Sequence, residues 1–152
     1  MKPVLIAVVF AVLGAASPVQ EGPVLVLPAD VKWADVPASL PPGSWICVLQ
    51  GDPAKEGLFT LRLKLPADYK VPPHTHPTSE TVTVLSGTLF MSMGDRFDAS
   101  KAKGMVAGSF IGIPRKSPHF VYTKEETIIQ ISSMGPFEVN YVNPADDPRN
   151  KK

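Results

Sequence analysis

His74, His76 and His119 are the three histidines of this chain, and they fall where one metal ion could use them. Two of them stand as H-x-H in the run PPHTHPTSE. In an extended segment residues i and i+2 point to one face, so the imidazoles of His74 and His76 converge. Glu80 follows four residues after His76 and opens the next alternating run with a carboxylate. Such nitrogen and oxygen donors suit a borderline divalent cation, with Zn, Cu, Mn, Fe and Ni all open. A lone H-x-H on a strand can equally be a pair of hydrogen-bonded polar residues, and Glu80 nearby is what weighs for a metal. Other chemistry has little support. The chain has no G-x-S-x-G elbow and no phosphate-binding glycine loop. Cys47 is the single cysteine, set in the apolar run SWICVLQ, which reads as a buried and inert thiol.

The elements that must position these residues read as strands. Helical periodicity is scarce, and short alternating runs are bounded by Pro, Gly and Asp, as in an all-β sandwich or barrel. The expected strands are residues 24–27, 44–50, 58–65, 80–85, 88–93, 109–113, 119–123, 127–132 and 137–142. The run 58–65 is the clearest: Leu61, Leu63 and Leu65 alternate with Thr60, Arg62 and Lys64. Ser86-Gly87 and Lys124-Glu125 read as turns, 51–57 as a loop, and the polar stretch 95–103 as an insertion able to hold a helical turn. The Pro- and charge-rich tail 143–152 is expected to lie on the surface. Alternation nominates Val82, Val84, Val121, Phe59 and Leu61 as walls of a pocket beside the metal, with Gln130, Tyr122 or Arg62 as polar contacts. Met91 and Met93 alternate on one strand and read as core filler rather than copper ligands.

The first residues, MKPVLIAVVFAVLGAAS, have one lysine, an apolar run and small residues after it. This pattern predicts a secretory signal peptide over residues 1–16, and a protein exported to the periplasm or secreted. Residues 17–152 then make one domain. Loss of Lys2 leaves basic and acidic residues equal at 14 each. A near-neutral chain without a basic stripe argues against nucleic acid and against an anionic membrane surface as partners. A lone cysteine excludes an intrachain disulfide.

With Gly87 included, the first cluster spells H-x-H-x3-E-x6-G, and Gly108, Pro114 and His119 follow as a second cluster. The pair resembles the two motifs of the cupin superfamily. The phrases VTVLSGT, MGDRFD, GPF and YVNPADDPR are similar to those of small exported single-domain bacterial cupins of the conserved-barrel, RmlC-like type. The resemblance implies a double-stranded β-helix, or jelly-roll barrel, with His74, His76, Glu80 and His119 as ligands of one metal ion. It implies an enzyme acting on a small molecule, of oxygenase, isomerase or decarboxylase type, in which Glu80 could also leave the metal to carry a proton. The other readings it allows are a non-catalytic module binding a small ligand or sensing a metal, and a structural metal site. Small cupins commonly pair, so a homodimer is expected. Three positions depart from the motif pattern: Asp68 and Lys116 stand where glycine is usual, and Thr123 where asparagine is usual.

An exported chain that folds outside the cytoplasm takes its metal where affinity order favours Cu and Zn. Elemental analysis of protein from its native compartment is expected to find chiefly Zn or Cu, and chiefly Fe or Mn would contradict this.

Overall fold

A computed structural model describes residues 22–151, and the expected signal peptide lies outside the described residues. Among these residues eleven strands form in chain order: β1 (Ala34–Asp35), β2 (Trp45–Gln50), β3 (Gly57–Leu65), β4 (Lys70–Thr75), β5 (Glu80–Ser86), β6 (Thr88–Met93), β7 (Lys103–Val106), β8 (Phe110–Ile113), β9 (His119–Thr123), β10 (Thr127–Gly135) and β11 (Asn140–Tyr141). They build a six-stranded sheet, β1-β2-β3-β10-β5-β8, and a five-stranded sheet, β11-β4-β9-β6-β7. All pairings are antiparallel. The architecture is the all-β jelly roll. Among the described residues no helix is long and apolar enough to cross a membrane.

Alternation on β3 drives the packing. Phe59, Leu61, Leu63 and Leu65 are buried, while the intervening residues stay half-exposed. Val82 and Val84 of β5 and Ile129 and Ile131 of β10 extend the same inner face. Val71, Leu89 and Met91 close the core from the other sheet. Each such side chain, fully buried, contributes about 1.5–3 kcal/mol of transfer free energy. The outer face is stitched by polar side chains: Thr60 Oγ1 lies 2.9 Å from Ser132 Oγ, and Arg62 Nε donates to Gln130 Oε1 at 3.1 Å. Cys47 is buried and free, as expected.

Two loops matter for the metal motifs. Gly87 joins β5 to β6 at φ 71°, and a side chain there would run into the carbonyl of Glu126, so glycine is required. The loop before β9 is fastened to the first motif by its backbone: Lys116 N–H donates to His76 O at 2.8 Å, and Arg115 N–H to Ser79 Oγ at 3.0 Å. Asp68 and Lys116, the two positions where glycine was expected, are the non-glycine residues with positive φ among the described residues, both at 59°. The backbone keeps the left-handed conformation although the glycine is gone. Thr123 also has a clear part: its hydroxyl donates to Pro66 O at 2.6 Å and accepts from Tyr69 N–H at 3.1 Å, closing the turn into β4.

Several expected boundaries move. Residues 24–27 form no strand, and Leu25 is 81% exposed. The expected strand 137–142 shrinks to β11 (Asn140–Tyr141). β4 escaped the pattern because its sequence, KVPPHT, contains two prolines. They are tolerated because the β4–β9 register shifts between Val71 and His74, so the missing N–H groups leave no gap in the ladder. β7 lies at the end of the polar insertion, whose helical turn is a 3-10 turn at Ala99–Lys101. Met91 is core, whereas Met93 at the end of β6 is 46% exposed.

A left-handed residue other than glycine costs about 1–2 kcal/mol, less for Asp. Glycine returns about 0.4–1 kcal/mol of this through the freer unfolded chain. Lys116→Gly is therefore expected to stabilise the fold by about 0.5–1 kcal/mol in urea unfolding. Asp68→Gly should gain less, and Lys116→Ala should change little.

Candidate metal centre

The bulge in β4 begins the centre. It leaves the carbonyl of Pro72 free of the ladder, and His74 donates its Nδ1–H to that oxygen at 2.8 Å. His119, the register partner of His74 on β9, donates Nδ1–H to Ser117 O at 3.0 Å. His76 lies just past β4 and donates Nδ1–H to Glu138 O at 2.6 Å, reaching 62 residues along the chain. A carbonyl only accepts, so each ring carries its proton on Nδ1 and turns the Nε2 lone pair inward. The ring of Phe137 stacks on that of His76, with centroids 4.3 Å apart at 16°, and fixes its plane.

The three imidazoles meet. Among the described residues, His74, His76 and His119 form a group whose ligand atoms all lie within 4.8 Å of one another, and which could hold a metal ion. Glu80, the first residue of β5, approaches from the opposite sheet. Its Oε1 lies 3.2 Å from His76 Nε2 and 3.1 Å from His119 Nε2. Donors about 2.1 Å from a shared cation stand about 3.0 Å apart at right angles and about 3.4 Å apart in a tetrahedron. The observed separations lie between those values. All four side chains are buried, none more than 6% exposed.

Electrostatics say the same. Burial, with the neighbouring His119 and His76 as further positive charges, pushes His74 from 6.5 down to about 3. Burial alone would raise the Glu80 carboxyl, but hydrogen bonding by His119 and His76 outweighs it and holds the group below the usual carboxylate range. With every Nδ1 committed to a carbonyl, a neutral imidazole offers Glu80 only a lone pair. The contacts to Glu80 therefore need a shared proton between the partners, or a metal ion that displaces it.

A cavity of about 130 Å³ adjoins the four residues. Val82, Val121 and Leu61 line it, as the sequence suggested. Phe59 and Val84 are buried but lie outside the lining; Phe59 instead packs edge-on against Phe137, with centroids 5.2 Å apart. The nominated polar contacts face outward: Arg62 and Gln130 bond each other, and Tyr122 stacks on Phe90 at 4.9 Å. Arg62 and Leu61 are neighbours on one strand and cannot both point inward. Pro37, Ser39 and Leu40 also line the cavity. Two tyrosines hold that segment: Tyr141 Oη donates to Ser39 O at 2.9 Å, and Tyr69 Oη donates to Pro41 O while accepting from Ser44 Oγ at 2.8 Å. The roles of Phe137, Tyr69, Tyr141 and Glu138 left no mark in the histidine motifs. The GPF phrase is the nearest sequence signal to the stacking ring.

Comparison with known proteins agrees with this fold. The family model described as a domain of unknown function (DUF4437) matches residues 16–140. None of the curated proteins matches the sequence. Among solved structures, the polyketide cyclase RemF from Streptomyces resistomycificus is similar, with a TM-score of 0.68 and 21% identity over 82% of this chain and 88% of that one. A putative acetylacetone dioxygenase from Methylibium petroleiphilum PM1 gives 0.65 and 19% over 89% and 90%. An RmlC-like cupin from Shewanella frigidimarina NCIMB 400 gives 0.59 and 14% over 76% and 94%. At these identities the likeness is one of fold.

The sign of a pH effect follows from His74. The unfolded chain binds a proton there near 6.5, whereas the folded chain binds it only near 3. The metal-free protein should therefore lose stability as pH falls from 6.5 toward 3, with a slope of at most about 1.4 kcal/mol per pH unit from this group. Glu80 adds a loss of the same sign once pH drops below its ordinary 4.5. Urea midpoints across pH 7 to 4 check this, and His74→Leu should flatten the upper part of the curve.

Proposed function

This chain belongs to the DUF4437 family of cupin-like domains, and we propose that it is a metal-dependent enzyme acting on a small molecule held beside His74, His76, Glu80 and His119. One observation carries the reading. His74, His76 and His119 bring ligand atoms within 4.8 Å of one another, each Nδ1 is committed to a backbone carbonyl, and Glu80 Oε1 lies 3.1–3.2 Å from Nε2 of His119 and His76. The donor set suits Zn, Cu, Mn, Fe or Ni. A divalent ion bound there would supply a Lewis acid with room for an oxygen ligand.

The chain's own residues supply the rest. The histidines, aimed by Pro72, Ser117 and Glu138, hold the ion without rearranging. In this reading Glu80 coordinates through Oε1, and its carboxylate takes or returns a proton at the substrate. Leu61, Val82 and Val121 exclude water and so strengthen each electrostatic contact inside. The cavity favours this reading over a purely structural ion, because a bracing site has no use for ligand-sized space beside it. Two proteins of the same fold are named a polyketide cyclase and a putative acetylacetone dioxygenase, so the fold can house chemistry on small organic molecules.

Titration of metal-stripped protein with Zn in a calorimeter is expected to give one ion per chain. Zn in hundredfold excess over its Kd should stabilise the fold by about 2.7 kcal/mol, or about 5–15 °C in melting temperature. His76→Ala should abolish stoichiometric binding, and Glu80→Gln should weaken it while leaving far-UV circular dichroism unchanged. Stoichiometric Zn in His76→Ala would overturn the assignment.

A further inference from the structure

The cavity also has a chemical character of its own, and it restricts what can enter. Apart from the four residues of the centre, its polar lining side chains are Ser39 and Tyr69. Tyr69 is already committed, donating to Pro41 O and accepting from Ser44. No lysine or arginine lines the cavity among the described residues. Every buried side-chain nitrogen or oxygen among those residues already has a hydrogen-bond partner. A sugar, nucleotide or amino acid placed here would lose its hydration and find almost nothing to replace it. The walls beyond the centre include Leu61, Val82, Leu89, Met91, Ile129 and Ile131. The volume, about 130 Å³, is close to that of an apolar cavity of about 150 Å³ that takes up benzene.

From this we infer that the site takes a small uncharged hydrophobic molecule, about one six-membered ring in size, whose oxygen atoms are confined to the end that meets His74, His76, His119 and Glu80. The hydrocarbon end rests on the walls, and the oxygen end is the one part that finds polar partners. The oxygen half of this inference rests on the metal reading above, whereas the apolar half rests on the cavity alone.

Three probes of equal ring size separate the halves: benzene, catechol and myo-inositol, titrated by calorimetry into metal-stripped and Zn-loaded full-length chain. Benzene is expected to bind both forms. Catechol is expected to bind the Zn-loaded form about tenfold or more tightly than the stripped form, and myo-inositol to bind neither. Val82→Phe, which fills the cavity, should lose benzene and catechol while keeping one Zn per chain. Leu61→Phe serves as a second filled cavity if Val82→Phe does not fold. Binding of myo-inositol as tight as that of catechol, or failure of benzene and catechol to bind the wild type, would overturn the inference. If Zn fails to load while benzene still binds, the metal assignment and the oxygen half fail and the apolar half stands. If Zn loads and catechol gains nothing from it, the oxygen half fails alone.

Discussion

His74, His76 and His119 each give the Nδ1 proton to a backbone carbonyl, and the arrangement of the barrel around them follows from that constraint. Once those protons are committed, the Nε2 lone pairs of His76 and His119 face the Glu80 oxygen in a buried interior, with His74 beside them. Acceptors at 3.1–3.2 Å without a proton or cation between them repel. The fold therefore carries an electrostatic demand at its centre that a shared proton or a metal ion relieves. A proton meets it weakly and a divalent ion meets it well, which couples metal binding to pH.

The jelly roll answers the mechanical half of that demand. The five-stranded sheet supplies His74 and His119 as register partners, and the six-stranded sheet supplies Glu80 from across the gap. No single strand could bring these together. The loop at Lys116 closes the distance by donating its N–H to the carbonyl of His76, and Arg115 N–H adds a bond to the Ser79 hydroxyl, so the second motif is tied to the first through its own backbone N–H groups. The segment around Phe137 and Glu138 clamps His76 from a third direction by ring stacking and a carbonyl. Precision here comes from covalently short, hydrogen-bonded supports, which is what a centre needs if its ligands are not to move on binding.

Much of this could be read from the residues, because the relevant signals are local. H-x-H with Glu80 and Gly87 is a short-range pattern, and the alternation of Leu61, Leu63 and Leu65 fixes the inner face of β3 without outside help. The supports are backbone-borne, and that of His76 is also 62 residues distant along the chain. The carbonyl of Glu138 carries no sequence signature, and neither does that of Pro72. β4 was hidden by the same two prolines that let its ladder shift and expose an acceptor for His74. Gln130 and Arg62 looked like pocket residues because parity on a strand flips with a one-residue error. Asp68 and Lys116 show the opposite case. Their identity hid a left-handed backbone that the motif pattern implied and the fold retains.

X-ray absorption at the zinc edge of Zn-loaded protein reads the ligand atoms themselves. The account requires three imidazole nitrogens at about 2.0–2.1 Å, accompanied by carboxylate oxygen in the same shell. Two or fewer imidazoles, or sulfur from Cys47 at about 2.3 Å, would contradict it.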